Sequence, residues 1–195
     1  MSMSLNFSQS WWRGQAWLWL LFGQNQRALA VYERLLKRFP TDHYAALSRA
    51  HLLAVLDRKP QSIQAYQALL SQQPEHGVAW FNLGFLLEEG ERWTEACHAF
   101  EQATRFRPEL DRAWYGLGLV LIRLQRHDEA VAALKRNTEL QPMSPYGWYQ
   151  LARVHLERHN PAEAVRIIAH LKGFEPKVAA QLERETGLMV AAPAP

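Results

Sequence analysis

One spacing governs this chain. Trp12, Trp80, Trp114 and Trp148 stand 68, 34 and 34 residues apart, and Pro40, Pro74, Pro108, Pro142 and Pro176 recur at the same 34-residue interval. A fixed period of this length marks a repeat architecture, in which each unit buries a face against its neighbour and no single globular core is needed. Repeat proteins of this size usually hold a partner, so the informative search is for a groove.

The frame set by Trp80 runs through Leu83, Gly84, Leu87, Ala96, Phe100, Ala103 and Pro108. One period on, it reads Trp114, Leu117, Gly118, Leu121, Ala130, Leu134, Asn137 and Pro142, and then Trp148, Leu151, Ala152, His155, Ala164, Ile168, Leu171 and Pro176. One period back it reads Ala46, Arg49, Ala50, Leu53, Ser62, Tyr66, Leu69 and Pro74; two periods back, Trp12, Gln15, Ala16, Trp19, Ala28, Tyr32, Leu35 and Pro40. Within each copy the large residues fall three or four apart, the spacing of one helix face. Gly84, Gly118, Ala16, Ala50 and Ala152 share one position, where a small residue lets two helices approach. Ala28, Ala96, Ala130 and Ala164, with Ser62, supply the facing small surface.

This pattern resembles the tetratricopeptide repeat, a 34-residue helix–turn–helix with the signature Trp-x2-Leu-Gly-x2-Tyr, then Ala, Phe, Ala and Pro. The resemblance covers residues 9–178 without insertion and is weakest in the second copy, where Ala46 and Arg49 replace Trp and Leu. It implies an all-α, right-handed α-solenoid (superhelix) of stacked antiparallel helix pairs. The repeats are expected at 9–42, 43–76, 77–110, 111–144 and 145–178, after a flexible N-terminus at 1–8. Val178, Leu182 and Leu188 among polar neighbours predict an amphipathic capping helix over 177–188, closed by Gly187, because the last repeat of a solenoid has no neighbour to cover it. A disordered tail is expected at 189–195.

Helix starts are signalled by Ser144-Pro145 and Asn160-Pro161, a capping side chain followed by a proline in the first turn. Thr94 and Asp128 are candidate caps of second helices, and Asp42 and Asp111 sit at or next to the start of first helices.

In this family the first helices line a concave, peptide-binding groove. The residues expected on that face include Trp17, Tyr44, His51, Phe81, Asn82, Phe85, Arg112, Tyr115, Arg123, Tyr146, Tyr149 and Arg153. The aromatics among them are not required for packing within a repeat, and aromatics and Arg are enriched at binding hot spots. About half are expected to pack sideways between neighbouring first helices. Asn82 resembles a family Asn that bonds the backbone of an extended peptide, and Arg112 suits a carboxylate. Leu47 and His51 stand where the rest of the family's carboxylate clamp would lie, which argues against chaperone-tail binding of that kind.

A second candidate surface is the chain's beginning. Trp11, Trp12, Trp17 and Trp19 fall within nine residues, followed by Leu20, Leu21 and Phe22. Trp12 and Trp19 fit the repeat core. Trp11, Trp17, Leu20 and Leu21 form an apolar N-terminal contact with no preceding repeat over it, suited to a protein partner, to self-association or to a membrane surface. Only Arg13 and Arg27 flank it, which limits membrane contact to the periphery.

The remaining signals exclude chemistry. A net charge of +3 without a basic block gives no nucleic-acid footprint. The lone Cys97 forms no disulfide framework or cysteine zinc site and reads as a small buried residue. The start lacks a charged secretory leader, and the longest apolar run, 16–22, is far too short to span a bilayer, so a cytoplasmic location is expected. Gly116-Leu117-Gly118 lacks the third glycine of a nucleotide loop. His155 and His159, four apart on a helix, lack the Glu of a zinc motif, and Glu88 and Glu89 are adjacent instead of opposed across a pocket. No catalytic residue, metal or cofactor is assigned. The sequence therefore predicts a non-catalytic interaction module, a scaffold, adaptor or assembly chaperone. The alternatives are a complex-assembly factor acting through the Trp-rich helix, or a regulatory subunit of a separate enzyme.

Overall fold

The structure, a computed structural model, describes residues 2–190, with side chains from Gln9 onward. Among these residues there are eleven helices and no strand: α1 (Ser2–Leu21), α2 (Asn25–Arg38), α3 (His43–Val55), α4 (Lys59–Gln72), α5 (Gly77–Glu89), α6 (Trp93–Phe106), α7 (Asp111–Arg123), α8 (His127–Leu140), α9 (Pro145–Glu157), α10 (Pro161–Lys172) and α11 (Pro176–Thr186). The chain divides into two compact units, Met1–Gly90 and Glu91–Pro195, with the boundary in the turn between α5 and α6.

In the first unit α1 packs on α2, α2 on α3, α3 on α4, α4 on α5, and the first helices α3 and α5 also touch. The second unit repeats the arrangement from α6 to α11, with α7 against α9 and α9 against α11. The small positions have the predicted role. Ala28, Ala96, Ala130, Ala164 and Ser62 are fully buried, and the Ser62 hydroxyl donates to the Ala50 carbonyl at 2.6 Å, so its polarity is satisfied. At Gly118 a Cβ would come within 2.7 Å of the Leu134 side chain, so only glycine allows that approach.

The turn inside each repeat has a feature that chemical similarity does not reveal. Gly23, Asp57, Glu91, Gln125 and His159 all have left-handed backbones (φ 65°, 57°, 56°, 60° and 55°), and they are 34 residues apart. Around Gln125, its N–H donates to the Ile122 carbonyl at 2.9 Å and the Arg126 N–H reaches back to Leu121 at 2.9 Å. This is the Schellman closure that satisfies the last carbonyls of a helix. Four of the five positions lack glycine and carry the cost of a left-handed backbone, about 1 kcal/mol each.

Several expectations need correction. The signature tryptophans are half-buried, not core. The indole N–H groups of Trp80, Trp114 and Trp148 donate to the carbonyls of Pro74, Pro108 and Pro142 at 2.7–2.9 Å, fastening each first helix to the end of the preceding repeat. Trp12 and Trp19 are likewise half-buried; Trp12 packs edge-on to Trp11 (5.6 Å between centroids), and the Arg27 guanidinium covers Trp19 at 4.7 Å. Thr94 and Asp128 lie inside α6 and α8, whose caps are Arg92 and Arg126; each pairs with a glutamate three residues on (Glu95, Glu129) at 2.6 Å. Asp42 and Asp111 are where they were expected: Asp42 caps α3 by accepting from Ala45 N, and Asp111 is the first residue of α7 behind Leu110. Ser144 precedes α9 without a side-chain bond, while the Asn160 side chain accepts from Glu163 N at 3.5 Å. His159 leaves α9 for the left-handed turn, so it does not share a helix face with His155.

At the ends, α1 extends back to Ser2 through the segment expected to be a flexible arm; nothing from 2 to 13 is proline or glycine, so nothing there breaks a helix. The capping helix spans Pro176–Thr186, ends on left-handed Gly187, and buries Ala179 and Leu182. Of the expected tail, Val190 is held: its N–H donates to Glu183 at 2.7 Å and its carbonyl accepts from Lys172, itself paired with Glu183 at 2.8 Å. Residues 191–195 lie outside the described residues.

Candidate functional site

In the second unit, three predicted residues meet. Tyr115 from α7 and Tyr146 and Tyr149 from α9 line an open cleft of about 470 Å³, with Pro145, Gln150, Glu175, Val178 and Gln181 completing the wall. Their convergence follows from the fold, since α7, α9 and α11 lie side by side and residues three or four apart on α9 share one face. Tyr146 is 70% exposed, a large ring held at the surface with no packing reason to be there.

Two of its lining side chains are tied to one carboxylate. The Tyr149 hydroxyl donates to Glu185 Oε2 at 2.6 Å, and Gln181 Nε2 donates to the other carboxylate oxygen at 2.8 Å. The carboxylate accepting this bond raises the Tyr149 phenol above its usual range, burial adding to it, and the phenol in turn lowers Glu185. The Arg153 guanidinium lies 5.8 Å from the Tyr149 ring centroid. The result is a mixed surface of aromatic faces, amide groups and carboxylates. Such a surface suits an extended chain carrying backbone amides and apolar or cationic side chains.

Two other predicted residues of this unit lie elsewhere. Arg112 is exposed on α7, and Arg123 lies over Trp93, 5.7 Å from its ring centroid, without lining the cleft. Glu175, Val178 and Gln181 were missed because α11 reads as a closure. The signal was available: one period beyond Trp148 falls Leu182, so α11 continues the frame as a sixth first helix.

In the first unit, Tyr44 and His51 are exposed on α3, Phe81 and Asn82 half-buried on α5, and Phe85 half exposed. Arg13 bonds Asp42 at 2.8 Å and stacks over Tyr44 at 5.0 Å, so it is already engaged. Asn82 lies near the buried Tyr66 hydroxyl, which makes no hydrogen bond among the described residues; burial raises the Tyr66 and Tyr32 phenols to about 12, partly offset by Asn82 and Ser48 respectively. The irregular second repeat also has a visible effect. Arg49, in place of a core Leu, lines a polar cleft of about 260 Å³ with Glu33, Arg58, Gln61 and Gln64.

Of the predicted N-terminal contact, Trp11, Trp17 and Leu21 are exposed and Leu20 is half-buried. Cys97 is buried; its thiol is raised to about 11, mainly by burial, and lies between Glu101 and Arg126. His155 is buried at a core position. Among the described residues no three His, Cys, Asp or Glu side chains group as metal ligands, and no helix is long and apolar enough to cross a membrane.

Stacked antiparallel helix pairs of this size, with repeating small contacts and a first-helix cleft, define an α-solenoid interaction fold. The tetratricopeptide repeat model matches residues 15–75, 47–108 and 86–145, well over half the chain, and the protein belongs to that family. Among solved structures, the crystal structure of YrrB, described as a TPR protein with an unusual peptide-binding site, superposes with a TM-score of 0.78 at 19% identity, covering 89% of this chain and 90% of that one. MamA 41-end from Desulfovibrio magneticus RS-1 gives 0.75 at 19% identity over 92% and 97% of the two chains. A further MamA crystal structure gives 0.76 at 18% identity over 96% and 98%. No curated protein sequence matches significantly.

Proposed function

We propose that this protein is a non-catalytic interaction module that holds an extended polypeptide segment on its first helices, and that the Tyr115–Tyr146–Tyr149 cleft is the principal grip. The observation that carries this reading is the convergence of three tyrosines from two first helices on a cleft of about 470 Å³, one of them largely exposed. Rings of this kind, set among hydrogen-bonding amides, are the usual anchors of protein interfaces. The peptide-binding site named for the structurally similar YrrB is consistent with it.

Random peptides can stand in for the natural partner. A random peptide library panned on the native chain should yield binders, and Tyr115→Ala/Tyr146→Ala should weaken the selected peptides by at least about thirtyfold, the loss expected when each ring contributes more than about 1 kcal/mol. Far-UV circular dichroism should be unchanged. Equal affinity for wild type and double variant would refute the cleft as the grip.

A further inference from the structure

The Tyr115–Tyr146–Tyr149 cleft carries a charge that the repeat does not require. Among the described residues, Glu175 is the one carboxylate in its lining, and no Lys, Arg or His lines it. At 34-residue steps back, the same position is Gln141, Arg107, Gln73 and Phe39, so nothing in the frame calls for an acid there. Glu175 stands at the N-cap of α11, yet its side chain makes no capping bond. It is half-buried, and its carboxylate has no hydrogen bond or ion pair among the described residues.

The cations of this end are committed elsewhere. Lys172 pairs with Glu183 at 2.8 Å. Glu185, the carboxylate behind Tyr149, is held below its usual range first by the bonds from Tyr149 and Gln181 and then by Arg153 and Arg184. Lys177, two residues beyond Glu175, is exposed and forms no ion pair with it. Glu175 is left as an uncompensated negative charge beside three aromatic rings.

We infer, on the reading that this cleft is the grip, that the bound segment presents an arginine or lysine side chain to it, laid against the tyrosines and paired with Glu175. The chemistry of the lining selects that occupant. Tyrosine rings are negative on their faces and attract a cation held within about 6 Å. Gln181 uses its Nε2 on Glu185, so its amide oxygen remains as an acceptor, and Gln150 offers another. A wholly apolar segment would take water from the Glu175 carboxylate and return no partner. An acidic segment, or a C-terminal carboxylate, would meet like charge with no cation in the lining to oppose it.

Peptide selection and affinity on the full chain test the inference. A random peptide library panned on wild type should return sequences enriched in Arg or Lys, and panning on Glu175→Lys should lose that enrichment. The chain's net charge of +3 would by itself favour acidic peptides, so bulk charge does not produce the expected result. Glu175→Gln removes no capping bond and should melt like wild type. By fluorescence anisotropy, a selected peptide should bind Glu175→Gln about fivefold more weakly, near the upper end for an ion pair in contact with solvent. Its analogue with citrulline for arginine, or norleucine for lysine, should bind both proteins equally. Binders that are lost in Tyr115→Ala/Tyr146→Ala but show no basic enrichment, or are indifferent to Glu175→Gln, would overturn this inference and leave the cleft standing. Binders indifferent to Tyr115→Ala/Tyr146→Ala would overturn the cleft, and this inference with it.

Discussion

Gly147→Ala is the most quantitative test of how these repeats fit together. In the repeat frame Gly147 stands where Ala45, Ala79 and Ala113 are fully buried, so alanine is the ordinary residue there. At Gly147, however, a Cβ would sit well under 3.0 Å from Asn137 Oδ1 and 3.1 Å from Thr138 Cγ2. Asn137 replaces the small Ala103 of the previous repeat, and its Nδ2 donates to the Asp111 carbonyl at 2.9 Å. Relief has two routes. If Asn137 turns away, that bond is lost and a buried amide is stranded, costing about 1–3 kcal/mol. If α9 shifts instead, overpacking costs about 1–3 kcal/mol. The gain in helix propensity, at most about 1 kcal/mol, offsets only part of this. The expected net loss is about 1–2 kcal/mol, or a Tm lower by roughly 2–8 °C for a chain of this size. In an Asn137→Ala background the clash is gone and the Ala103/Ala113 arrangement is restored, so Gly147→Ala should be neutral or stabilising. The assay is a double-mutant cycle in urea, followed by both circular dichroism and tryptophan fluorescence so that coincident transitions confirm a single unfolding step. A Gly147→Ala variant as stable as wild type, or one equally destabilised in both backgrounds, would refute the steric account.

Two further outcomes follow from the same structure. Gln125→Gly relieves a left-handed backbone at an exposed side chain and should raise stability by about 0.5–1 kcal/mol in thermal melts, less the added entropy of the unfolded glycine; Gln125→Val should lower it. His155 is buried, chiefly burial and then Arg158 lowering its pKa below the ordinary 6.5, so the unfolded chain takes up a proton before the native one does. Stability should therefore be unaffected above pH 6.5 and fall as the pH drops below it, and His155→Leu should flatten that part of a stability–pH profile.

The helical architecture was legible because it rests on spacing, and spacing survives substitution. Ser62 in place of Ala, or Tyr in place of Phe, changes the chemistry of a position without moving it, and Ser62 simply bonds the Ala50 carbonyl. The left-handed turn at Asp57, Glu91, Gln125 and His159 was illegible for the converse reason: the position is constant but the residues share no chemistry, and only Gly23 advertises the backbone. Capping misled in a similar way. Thr94 and Asp128 have the right side chains, but the helices begin earlier behind Arg92 and Arg126, which spend their charge on Glu95 and Glu129.

The candidate site was half visible. Tyr115, Tyr146 and Tyr149 were conspicuous as rings that packing within a repeat does not require, but which rings would converge depends on neighbours that only the fold supplies. α11 closes the core with Leu182 and lines the cleft with Val178 and Gln181, one helix serving both purposes. Gly14 and Gly116 make the point most sharply. The two are the same residue at the same place in the frame, and their local sequences would allow the same approach. One is filled by Phe100, and at the other no described heavy atom lies within 4 Å of the Cβ position. What a glycine of this frame packs against is set by the second helix laid over it, Phe100 at Gly116, and the glycine's own sequence neighbours do not specify it.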